Sequence, residues 1–115
     1  MSLPANFSGM PSEELHRDFR NICIELKKVI HSSKDVERLQ VEMDRFIDAS
    51  KHMDWHHKTS GVYHKQEGDK AVGKVWAEFK RYKESLSSNP YQTNPQDLLN
   101  AFAEVERLVD SLKVR

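Results

Sequence analysis

Val29-Ile30-His31-Ser32-Ser33-Lys34-Asp35-Val36-Glu37-Arg38-Leu39 is the stretch on which the fold of this 115-residue chain turns. Upstream of it, Leu15, Phe19, Ile22, Leu26 and Val29 recur at alternating spacings of four and three. Downstream, Val36, Leu39, Met43, Phe46, Ser50 and Met53 alternate by three and four, with one polar member. Both are helical stripes, because a period of 3.6 residues brings such positions onto one face. Between them Ser32-Ser33-Lys34-Asp35 has the form of a capping box, with aspartate in place of Glu or Gln, and predicts a tight turn and a new helix. Yet Leu15, Ile22, Val29, Val36, Met43 and Ser50 keep one seven-residue rail across the junction, and no Gly or Pro interrupts it. Two readings stand. Either two helices meet at a turn, or one helix runs from residue 12 to 57, roughly 70 Å long at 1.5 Å per residue.

Outward from the junction the signals are plainer. Ser12 is an N-cap candidate, followed by Glu13 and Glu14 at the positive end of the helix dipole. Residues 1–11 hold Pro4, Gly9 and Pro11 without periodicity and read as a flexible arm, with Phe7 as a docking element. Thr59-Ser60-Gly61 reads as a helix stop, preceded by Lys58 and three histidines at the favourable end of the dipole. A third helix is expected to begin between Gln66 and Lys70 and to carry Val72, Val75, Trp76, Phe79, Tyr82 and Leu86. Gly73 inside it costs about 1 kcal/mol relative to alanine, which suggests a close helix crossing. Residues 87–95 hold two prolines and several turn formers, with Tyr91 among them. Asn94 then caps a last helix, with Pro95 first and Asp97 third in it. Leu98, Phe102, Val105, Val109 and Leu112 form its stripe, widened by Leu99, Ala101 and Leu108.

These segments predict an all-α fold: a four-helix up-and-down bundle formed by residues 12–115 as a single domain. The alternative is a long helical hairpin, helices 1 and 2 continuous, that dimerises to cover its stripe. Residues 35–54 carry six acids and three bases, and residues 65–86 six bases and four acids, which favours these two segments as neighbours. The hydrophobic fraction is 37% and the mean hydropathy −0.76, so the core is lean and a homodimer is expected in either case.

Lys plus Arg and Asp plus Glu are equal at 18 each. That balance favours neither nucleic acid nor a membrane surface. No apolar run approaches the roughly 20 residues that span a bilayer, and Met1 to Phe7 lack a signal peptide's basic and apolar regions. One cysteine, Cys23, rules out an internal disulfide and fits a reducing compartment, so cytoplasmic residence is expected.

Six histidines are present, four of them between residues 52 and 64. On a helix His52 and His56 would project from one face, a spacing that supplies two imidazole ligands to zinc, nickel or iron. His57, His64 and Glu67 complete the candidate metal set, and Asp54 could orient a ligand. The plainer reading is a set of solvated histidines favoured at a helix end, and a third is a corner that gains charge in mild acid. The run from Lys74 to Lys83 interleaves bases with Trp76, Phe79 and Tyr82, the composition of a nucleic-acid surface, although a helix would turn these rings to the core. Cys23, between Ile22 and Ile24, reads as a packed thiol. Motifs for covalent, nucleotide or zinc-protease chemistry are missing, and no cofactor is implied beyond that divalent metal. The sequence therefore reads as a non-catalytic helical module that binds a protein partner or its own copy. The alternative is a metal-binding or pH-sensing bundle built on residues 52–64.

Overall fold

The junction at residues 33–35 is a break. In the computed structural model, which describes residues 12–89, 91 and 93–112, α1 spans Ser12–Ser32 and α2 spans Val36–His52. Asp35 takes an extended conformation, and its carboxylate accepts the N–H groups of Glu37 at 3.1 Å and Arg38 at 3.3 Å. Ser33 Oγ accepts the N–H of Asp35 at 3.1 Å. Asp35 is thus the cap itself, where the capping-box reading had it inside the first turn. Free N–H groups at a helix start need such acceptors, and supplying them locally makes a break cheaper than a continuous rod. The continuous helix and its dimerising hairpin are therefore set aside.

α2 also ends earlier than expected. Its C-cap, Met53, is extended, and Met53, Asp54 and Trp55 leave the helix axis. The chain then folds back on itself. His56 bridges Tyr63, His57 N–H donates to Val62 C=O at 2.8 Å, and Gly61 N–H donates to His57 C=O at 2.9 Å. Gly61 has φ of +71°, which only glycine adopts without strain. Thr59-Ser60-Gly61 is accordingly the tip of a small hairpin rather than the stop of a helix. Its other edge is tied to the end of the last helix, where Lys58 N–H donates to Ser111 C=O at 2.8 Å and His57 bridges Leu112.

α3 spans Lys65–Ser88 and α4 spans Gln96–Asp110. The N-cap of α4 is Pro95, one residue later than the expected Asn94, whose Oδ1 nevertheless accepts Gln96 N–H at 2.9 Å. α1 packs closely on α2 and α3 on α4, while the α2–α3 and α1–α4 seams are looser and close the ring. Contacts between α1 and α4 run in opposite directions along the two helices: His16 meets Val109, and Lys27 meets Glu106. The described residues form an up-and-down bundle with no strand beyond two isolated bridges, and no helix among them is long and apolar enough to cross a membrane.

The four predicted stripes meet in the centre. Phe19 stacks on Phe46 at 5.3 Å between ring centroids, and Phe46 meets Phe102 edge-on at 5.1 Å. Trp55, which lies on no stripe, is fully buried and packs edge-on against Phe19 at 6.3 Å. Val36, Trp76, Leu99 and Leu108 are the exceptions among the stripe residues, being only partly buried. α2 and α3 are neighbours, as the charge balance favoured, but no ion pair among the described residues joins them. Among the described residues the helix-to-helix ion pairs, Arg20–Asp110 and Lys27–Glu106, join α1 to α4. The expected arm, Phe7 and the side chain of Ser12 lie outside the described residues.

Candidate functional site

The histidine corner disperses once the chain leaves the helix at His52. His52 Nε2 lies 4.0 Å from Asp48, back on α2. His56 is on the hairpin, not on the helical face of His52. Its ring bonds to Asp54 and lies 4.7 Å from the ring of Tyr63. His57 Nδ1 accepts the N–H groups of Thr59 at 3.1 Å and Ser60 at 3.2 Å, so that nitrogen holds the turn. His64 sits 3.6 Å from Glu67 Oε2 and edge-on to His57, with ring centroids 5.7 Å apart. The structure thus brings His64 to both Glu67 and His57, while His52 faces Asp48 and His56 is held by Asp54. Among the described residues no three His, Cys, Asp or Glu side chains form a group that could hold a metal ion. Asp54, expected to orient a metal ligand, bonds to His56.

The basic–aromatic run on α3 also divides. Phe79 and Tyr82 are buried in the core, and burial pushes the Tyr82 phenol above its ordinary pKa. Lys83 reaches Gln40 Oε1 at 3.1 Å, and Lys80 lies 5.7 Å from the Trp76 ring centroid. Only Trp76 keeps a partly open face. Cys23 is buried beside Glu106 at the α1–α4 seam, and burial first, then that carboxylate, pushes its thiol from 9.0 to about 12. It stays protonated and unreactive at neutral pH, as a packed thiol does.

What remains is a groove along the looser α2–α3 seam. Ile47, Val72 and Trp76 supply its apolar wall, and Gly73 its floor. A Cβ built on Gly73 would meet nothing within 4 Å, so this glycine opens a space, contrary to the close crossing expected of it. Gly68 makes the close approach instead: a Cβ there would lie 2.5 Å from the Trp55 ring. The groove encloses about 430 Å³ and is open to solvent along one side. Asp44, Asp48, Lys51 and Asp69 form its rim. Asp69 is paired with Lys65 Nζ at 2.8 Å, whereas Asp44 meets a neutral group among the described residues, the amide of Gln40 at 2.9 Å. Asp44 and Asp48 stand one helical turn apart on α2, a like-charge spacing that destabilises a helix slightly.

Sequence reasoning missed this site because it assigned Trp76 to the core and Gly73 to a crossing. The available signal was Ile47 beside Phe46, one position off the buried stripe, with the aspartates flanking it.

No protein family, curated protein or solved structure matches the chain.

Proposed function

We propose that this chain is a non-catalytic helical interaction module that receives a helix of a protein partner in the α2–α3 groove. The observation that carries the reading is the partly buried Trp76, which lines with Ile47 and Val72 a groove left open to solvent beside Gly73. An apolar wall around a partly exposed aromatic ring, left uncovered at the surface, is where a partner's side chain can anchor. The described residues offer no sheet whose edge could pair with an extended peptide, and a groove between two helices with an apolar wall suits the helix-in-groove mode. The groove is too open to bury most of a small molecule, as ligand pockets do. One buried, protonated cysteine suits a reducing compartment, and the reading includes residence in the cytoplasm.

The test uses Gly73→Leu, whose Cβ meets nothing within 4 Å and which adds bulk to the groove wall and raises helix propensity. The variant should melt at or above the temperature of the parent chain and bind amphipathic helical peptides much more weakly. Undiminished binding by a well-folded Gly73→Leu protein would overturn the reading.

A further inference from the structure

Resting on that reading, we infer that the partner helix is basic: it seats an apolar side chain against Trp76 and sets Lys or Arg beside Asp44 and Asp48. The walls of the groove, Asp44 to Lys51 on α2 and Asp69 to Trp76 on α3, each run roughly 10 Å, the length of two helical turns. Two turns present one pair of apolar residues spaced three or four apart, with a flanking position on each side. The vacancy over Gly73 takes the apolar pair. The flanking positions on the α2 side face Asp44, held by a neutral amide, and Asp48, 4.0 Å from a histidine nitrogen. Asp69 is already neutralised by Lys65, so the α3 wall adds little negative charge. Lys51 closes the far end of the α2 wall and confines the basic contacts to the Asp44–Asp48 turn. A cation between these two carboxylates would also relieve their mutual repulsion, which an acidic or neutral partner would leave in place.

The experiment uses two synthetic amphipathic peptides of about 14 residues, four helical turns, one of Leu and Lys and one of Leu and Glu. Each is titrated into the isotopically labelled full chain, and backbone amide and indole resonances are followed. The Leu/Lys peptide should shift Ile47, Val72, Gly73 and Trp76 and bind at least tenfold more tightly than the Leu/Glu peptide. The double variant Asp44→Asn, Asp48→Asn keeps side-chain size and should weaken the Leu/Lys peptide about tenfold, the sum expected for two exposed charge pairs. If both peptides shift the same residues with equal affinity, the groove stands and the basic partner is overturned. If the double variant binds the Leu/Lys peptide as the parent does, the assigned carboxylates are wrong. If neither peptide shifts the groove residues, the docking reading itself fails. Sedimentation showing a dimer with these four residues protected would put a second copy in the groove and overturn the inference as well.

Discussion

Cys23 shows how a single group is held in one protonation state by its surroundings. The Cys23 thiol, ordinarily near 9.0, is pushed up to about 12 by burial and by Glu106. Between those values the folded chain keeps a proton that the unfolded chain releases, so rising pH favours unfolding. Below pH 9 both states are protonated and the effect is absent. Stability should therefore fall above pH 9 more steeply in the parent than in Cys23→Ala, with an extra slope of up to about 1.4 kcal/mol per pH unit. Chemical denaturation between pH 8 and 10.5 measures the difference, and parallel curves would contradict it. His57 accepts two backbone N–H groups through Nδ1, which requires the neutral ring with its proton on Nε2. Ring nitrogen shifts at neutral pH should report that tautomer. His57→Leu should cost about 1 kcal/mol, because Thr59 and Ser60 lose their acceptor.

At the scale of the element, the two glycines of α3 should respond in opposite ways to the same substitution. Gly73→Ala adds a methyl to open space and improves helix propensity, so it should stabilise the chain by about 1 kcal/mol. Gly68→Ala drives a methyl into the Trp55 ring and should destabilise by about 1–3 kcal/mol despite the same propensity gain. Thermal unfolding of the pair decides this, and equal shifts would mean that Trp55 does not rest on α3. Asp35 governs the break between α1 and α2. Removing its carboxylate in Asp35→Ala leaves two N–H groups without their acceptor, at a cost of about 1 kcal/mol. The seven-residue rail across that break was real as a pattern, since Val29 and Met43 are both buried on it. It persisted because two antiparallel helices of one hairpin present their stripes to the same core.

Across the whole molecule, residues 53–64 act as the clasp. Trp55 drops between Phe19 of α1 and Gly68 of α3, while the hairpin that follows it ties to Ser111 and Leu112 beyond α4. One segment thereby touches every other part of the bundle at that end. Trp55→Ala should cost about 3–5 kcal/mol, and the whole bundle should unfold in one transition. Loss of the hairpin alone, with the helices unchanged by circular dichroism, would show that the clasp is not coupled to the core.

Helix type, the four stripes and most of the core were legible in the sequence, because they follow from a local period that each segment carries within itself. Phe19, Phe46 and Phe102 were on their stripes before any contact was known. The end of α2, the burial of Trp55 and the scattering of the histidines were decided by tertiary structure. Each depends on a partner far along the chain, such as Gly68 for Trp55 or Ser111 for Lys58, and spacing carries no information about such partners. The groove belongs to the same class. Gly73 reads alike whether it faces a neighbouring backbone or open solvent, and only the looser packing of α2 on α3 determines which side of it stays empty.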